Sequence, residues 1–280
     1  VFEVARSYRF KKGSGMPISI PVIDMVEIGA GGGSLAHVDA LNQIRVGPKS
    51  AGSEPGPACY GRGGQQPAVT DADLILGKLD PNNFAGGSFK LDAAASSGAL
   101  EAHLASKLDM SQLEAAQGLV EVVDENMSNA ARVHAVENGE DLSEYTMIAF
   151  GGAAPLHAAR LCEKLGIDRC LIPTGAGVGS AIGFLRAPFS FEATRSVVMS
   201  LDAFDSRGVA ETLANLRTEA SDFVRQCDAK ADILTSHKVY MRYRGQGWEI
   251  PIDLPQQVID APSAEALKAL FEAEYTSLFG

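Results

Sequence analysis

The sequence predicts an α/β protein followed by a smaller α+β unit, and three observations carry that prediction. Short apolar runs at 22–28, 35–39 and 43–46 follow one another with brief connections, as in an antiparallel meander. Further on, an apolar run at 145–150 reads as a buried strand; it ends in Gly151-Gly152, enters a helical pattern and is followed by another short run at 170–172. Strand, helix and strand in that order is the alternation of an α/β sheet. Beyond Arg195 the glycines thin out and helix and hairpin patterns take over. Residues 1–194 and 195–280 are therefore expected as separate domains.

The elements can be justified in order. Glycines crowd positions 29–33 between the first two expected strands, and Ala40-Leu41-Asn42 supplies the next turn. Residues 48–70 hold too much Pro and Gly for regular structure, and a long irregular loop in a compact domain is usually functional. The clearest helix spans 111–138. Ser111 and Glu114 make its capping box, an apolar stripe runs through Leu113, Ala116, Leu119, Val120, Val123, Met127, Ala130 and His134, and Gly139 stops it. Arg132, Glu137 and Glu140 read as its solvated face and end. Pro155 opens the next helix and Gly166 closes it; residues 180–185 begin another. In the second domain 205–228 is helical, 237–244 and 248–254 form a hairpin, and 263–279 is an amphipathic helix.

Composition removes several function classes. The 280 residues include 24 basic and 35 acidic side chains, a net charge of −11. With a pI near 4.9 and no basic cluster, nucleic acid is not an expected partner, because phosphate contacts need grouped Lys and Arg. Apolar residues make up 46% and no apolar run approaches the roughly 20 residues of a membrane span, so no membrane partner is expected. Cys59, Cys162, Cys170 and Cys227 show no CxxC spacing, which argues against a zinc ribbon or disulfide scaffold and for a cytoplasmic protein. No signal peptide is visible, and a start at Val1 with an end inside a helical pattern is expected of a piece of a longer protein.

Four segments carry candidate chemistry. At 28–36 glycines sit between expected strands, where successive backbone N–H groups suit an anion but a tight hairpin with a bulge would look the same. At 149–157 Gly151 and Gly152 free the backbone for a flat ligand or for close strand–helix packing, and His157 is either a structural histidine or a catalyst. At 175–183 glycines again precede a helix. The Pro/Gly loop leads to Asp71 and Asp73, which either hold Mg²⁺ or cap a helix before Leu74; Asp39 is a third carboxylate of this kind. Cys59 has no base beside it in sequence, which argues against a nucleophile.

Taken together, residues 28–39 (IGAGGGSLAHVD), 45–77, 149–161 (AFGGAAPLHAARL), 177–187 and 241–252 resemble the hydantoinase A/oxoprolinase family over nearly the whole chain. The resemblance implies a ribonuclease-H-like domain of the actin-like, sugar kinase and heat-shock ATPase superfamily. It places a phosphate loop at Gly31, Gly32, Gly33 and Ser34 and an adenosine-side motif at Gly151, Gly152 and Ala153. It further implies ATP and Mg²⁺ as cofactors, with Asp39, Asp71 and Asp73 as metal candidates, and these three with His157 as catalytic ones. The implied activity is phosphorylation of a cyclic amide oxygen to drive ring opening, the alternative being a subunit of an ATP-dependent ketone carboxylase. The implied partners are a cyclic amide substrate, a hydantoinase B-type subunit and the family's N-terminal half, whose own phosphate loop is absent from this sequence. A third alternative is that the isolated chain is a non-catalytic packing module. The pattern departs from the family at Ala154, where Gly is usual.

Overall fold

Residues 25–280 are described throughout by the computed structural model, together with the backbone of Phe2–Glu3 and Pro21–Val22. Those two short segments, β1 (Phe2–Glu3) and β2 (Pro21–Val22), pair antiparallel. The strand expected over 22–28 does not continue through 25–28, which is irregular and leaves Val26 and Ile28 exposed. An apolar run becomes a strand only where a neighbouring backbone accepts its hydrogen bonds. The expected three-stranded meander is therefore, among the described residues, a two-stranded hairpin of β3 (Ser34–Val38) and β4 (Ile44–Ser50). Its tight turn lies at 39–43 and not at the glycines. There Asp39 Oδ1 accepts from the N–H groups of Leu41 (2.8 Å) and Gln43 (3.0 Å), and Oδ2 from Arg45 Nε (2.7 Å). A register shift between Ser34 and Ala36 bulges the start of β3.

After the Pro/Gly loop comes α1 (Val69–Ile75), which begins earlier than the sequence suggested, so Asp71 lies in its first turn and Asp73 in its interior. Then α2 (Ala93–Leu100) runs through a π-helical turn at 101–105 into α3 (Ser106–Leu108). The long α4 (Gln112–Asn138) has the expected limits: Ser111 and Glu114 form the capping box, and Gly139 takes φ 72° at the stop. Its stripe starts later than expected, because Leu113 is exposed while Ala115, Ala116, Leu119, Val120 and Val123 are buried. These residues pack on Ala36, Val69, Ala72, Leu100 and Leu104, so the main core lies between the β3–β4 hairpin, α1, α2 and α4.

Next, β5 (Thr146–Ile148) pairs in parallel with β6 (Arg169–Leu171), joined by α5 (Ala154–Leu165), which has Pro at its start and Gly166 at its αL stop. The strand expected to be buried at 145–150 is instead largely exposed, with Tyr145, Ile148 and Phe150 open to solvent. A parallel strand is buried only when other layers cover both faces. Arg132, read as solvated, ties α4 to the end of α5 by donating to the Lys164 carbonyl at 2.7 Å. Lys164 Nζ in turn bonds Glu125 on α4 at 2.6 Å. α6 (Gly179–Arg186) follows.

The chain divides into two compact units at Leu185/Arg186. In the second, α7 (Ser206–Cys227) precedes an antiparallel hairpin of β7 (Lys238–Met241) and β8 (Ile250–Asp253), then α8 (Gln256–Asp260) and α9 (Ala264–Phe279). Its core gathers Leu254, Val258 and Leu267, with Leu201, Phe204, Leu213, Val239 and Met241 packed against them. No helix among the described residues is long and apolar enough to cross a membrane.

Candidate functional site

Gly31, Gly32 and Gly33 form the turn that feeds β3. Ser34 closes it: its N–H bonds the Gly31 carbonyl (2.9 Å), its hydroxyl accepts from Gly31 N–H (3.0 Å) and donates to Gly29 O (3.2 Å). The Ser34 hydroxyl is thus buried and occupied, so what this segment presents is backbone. Among the described residues no protein acceptor takes the N–H of Gly32 or Gly33. The turn is fixed to α1 through Thr70, whose N–H and hydroxyl both bond the Gly32 carbonyl at 2.8 Å. A Cβ at Gly32 would stand 2.8 Å from Thr70 Oγ1 and 3.3 Å from Ala153 Cβ, so the first glycine segment touches the second.

The second segment joins the third. Gly151, at φ 107°, donates its N–H to the Ala176 carbonyl at 2.8 Å. Three glycine segments far apart in sequence therefore meet at one place: 31–33, 151–153 and 175–179. Gly31 and Gly152 face open space, since a Cβ built on either meets no atom within 4 Å. A ligand can approach the main chain at both.

The carboxylate candidates go elsewhere. Asp39 belongs to the exposed hairpin turn, where hydrogen bonds from Gln43 and then Arg45 hold its carboxyl below the usual range. Asp71 is fully buried and saturated: it accepts from the N–H groups of Ala58 (3.1 Å), Cys59 (2.8 Å) and Ala68 (2.8 Å) and from Ser96 Oγ (2.7 Å). Its work is to fold the Pro/Gly loop onto α1. Asp73, two residues on, points to the other side of the helix, so the pair holds no ion between them. Among the described residues no group of three or more His, Cys, Asp or Glu side chains is arranged to hold a metal. Asp39, Asp71 and Asp73 therefore do not converge on one place as a shared metal site.

His157 and Asp73 do meet, in a buried cluster with Asp124 of α4. His157 Nδ1 is 2.7 Å from Asp124 Oδ1, and Nε2 is 3.2 Å from Asp73 Oδ2, off the line of a good hydrogen bond. Lys78 Nζ approaches Asp73 Oδ1 at 3.1 Å. Burial by itself would lower the His157 pKa, but the hydrogen bond to Asp124 and the charge of Asp73 outweigh it and raise it to about 9. The ring has no exposed surface, so it meets no substrate directly. Sequence reasoning missed Asp124, although an acid beside Val120 and Val123 on the apolar stripe was its signal. Cys59 is likewise buried, which together with the Asp71 charge pushes its thiol far up and away from nucleophilic use.

A sequence profile of the hydantoinase/oxoprolinase family matches residues 1–193. The chain belongs to that family. Among its relatives, the caprolactamase alpha subunit of Pseudomonas jessenii is 35% identical over 266 residues, which cover 94% of this chain and 38% of that protein. The 5-oxoprolinase PfmaA of Pestalotiopsis fici is 30% identical over 263 residues, covering 89% of this chain and 20% of the relative. Of solved structures, nucleotide-free acetone carboxylase superposes with a TM-score of 0.75 at 28% identity, covering 89% of this chain and 37% of that one. The ATP-dependent caprolactamase structure gives 0.69 at 34% identity, covering 94% and 39%. This chain spans less than two-fifths of the length of these curated relatives.

Proposed function

We propose that this chain is part of an ATP-dependent enzyme that phosphorylates the oxygen of a cyclic amide so that the ring opens by hydrolysis. The observation that carries the proposal is the convergence of Gly31–Gly33 with Gly151–Ala153 beside open backbone, with the Gly32 and Gly33 N–H groups taken by no acceptor among the described residues. In this reading the 31–33 main chain holds polyphosphate, Ser34 keeps the turn shut behind it, and Gly151, Gly152 and Ala153 line the adenosine side. ATP supplies the phosphoryl group that makes a poor leaving oxygen a good one. The fixed N–H groups offset charge that develops on the transferring group. No step is assigned to a metal, and Asp39 and Asp71 are given structural roles.

The actin-like superfamily fold, a cytoplasmic location, a hydantoinase B-type partner and a segment supplying the other side of the cleft belong to the same proposal. Relatives named as caprolactamase alpha subunit and 5-oxoprolinase support the amide substrate. The likeness to acetone carboxylase supports a second reading, a ketone carboxylase subunit that uses ATP at the same place.

Two variants test the site without disturbing packing. Gly31→Val and Gly152→Val place their side chains in open space, so melting temperature should hold within a few degrees while ATP affinity falls tenfold or more. Unchanged affinity in both would move the nucleotide elsewhere. Gly32→Val is less informative, because its Cβ crowds Thr70 and Ala153 and changes the fold as well. The 280-residue chain alone should bind ATP weakly without turnover. Phosphate release by the complete enzyme with oxoproline or hydantoins, against ketone plus bicarbonate, separates the two readings.

A further inference from the structure

Behind the two glycine segments, three helices are joined by buried charge. Asp73 comes from α1, Asp124 from α4 and His157 from the first turn of α5, and all three are buried. Each helix end matters here. One turn before Asp73, α1 is bonded to the Gly32 carbonyl twice through Thr70. One turn before His157, α5 begins directly after Gly152-Ala153. The imidazole therefore connects, through one ring, the helix that holds the 31–33 turn and the helix that continues from the 151–153 turn. The two turns also come together where a Cβ on Gly32 would stand 3.3 Å from Ala153 Cβ.

The energetics of this cluster point away from a purely stabilising role. Taking three ionisable groups out of water is costly, and apolar residues of similar size often serve stability as well or better. A ring contacted at both nitrogens does fix one geometry: α5 cannot slide or turn against α1 without breaking a contact. We propose that His157, bridged between Asp73 and Asp124, is a positioning residue that sets the spacing of the Gly31–Gly33 and Gly151–Gly152 segments and so shapes the nucleotide site. This rests on the reading that both segments hold nucleotide.

The charges around the ring are few. Asp73 faces it from α1, with Lys78 behind, and Asp124 faces it from α4. Glu121, Glu125, Arg160 and Lys164 pair with one another across the surface of α4 and α5. With His157 charged, two cations balance two carboxylates. Once it loses its proton, Asp73 retains Lys78 but Asp124 faces no other cation among the described residues, and the α4–α5 side of the bridge slackens first.

The test has two arms on ¹⁵N-labelled protein. Without nucleotide, the His157 ring nitrogens and the amides of Gly31, Gly32, Gly33, Gly151 and Gly152 are followed from pH 5.5 to 10. The expected result is that amides of both segments shift with the midpoint of His157, and that the shift vanishes in His157→Gln. Because the wild-type titration stands by itself, the arm is decisive even if that variant does not fold. Glycine amides that ignore the His157 midpoint would overturn the proposal. In the second arm a fluorescent ATP analogue is titrated into wild type, Asp124→Asn and Asp73→Asn. A roughly fivefold or larger loss of affinity in either variant, with the far-ultraviolet spectrum unchanged, supports the bridge, and unchanged affinity in both overturns it. Absence of any binding to wild type sinks the nucleotide reading instead, while the first arm still judges the bridge as a link between the segments.

Discussion

His157 titrates where the protein can feel it. Its pKa is raised above the usual histidine value of 6.5 to about 9 in the folded chain, so folding takes up a proton between those limits. The sign follows: the contribution is fully present below pH 6.5, declines as pH rises, and is gone above about 9. A shift of this size corresponds to on the order of 3 kcal/mol. Urea denaturation from pH 6 to 9.5 should show stability falling with pH, and His157→Gln should flatten that slope. Asp71 behaves differently, because its four donors leave it no spare lone pair to trade. Asp71→Asn turns one of the two acceptor oxygens into a donor, facing either the N–H groups of Ala58 and Ala68 or the Cys59 N–H and the Ser96 hydroxyl, and should cost about 3 kcal/mol in the same assay. The glycine positions were legible in the sequence, since clustered glycines need a backbone reason. The partition of Asp71 and Asp73 was not, because it depends on helix phase and on which loop folds back over it.

At the level of elements, caps and breakers were the most readable signals. The Ser111–Glu114 box and Gly139 bound α4 as expected, and Pro155 and Gly166 bound α5. Ser111 Oγ both accepts from Glu114 N–H (3.3 Å) and donates to Glu114 Oε2 (2.7 Å). Ser111→Ala should therefore cost about 1 kcal/mol, seen as a small drop in the denaturation midpoint. Two elements were misread for physical reasons. The α2–α3 stretch was overlooked because Ala and Ser dominate it and no wide apolar stripe marks it, yet Leu100 and Leu104 are fully buried. The β5 strand was read as buried from its apolar run, but periodicity reports what a strand prefers and not whether layers cover it.

For the molecule as a whole, the α/β character was visible in the strand–helix–strand order over 145–172, while the thinning of glycines suggested a division at 194/195 and the compact units divide at Leu185/Arg186. Each unit has its own core, one around Leu119 and Leu104 and one around Leu254 and Leu267. Between them residues 187–200 form no helix or strand and are mostly exposed, Arg195 among them, with exposed Arg186 just before. Brief trypsin treatment should cut first at Arg186 or Arg195 and leave two resistant fragments, identified by mass spectrometry. Early cleavage elsewhere would mean that one core does not hold by itself. Family membership was legible from motif order, whereas the contact between Gly32 and Ala153 had to be seen in three dimensions.

Of the three helices that meet at His157, α1 is the shortest and has the least freedom. Two acids two positions apart on a helix lie roughly 200° from each other, so α1 sends one to the Cys59 loop and the other to the imidazole. Sliding it forward or back by a single residue would strand both at once and release Thr70 from its glycine. Adding or removing one residue between 67 and 74 should therefore do more harm than any single exchange within that stretch. Length there is as strictly dictated as identity.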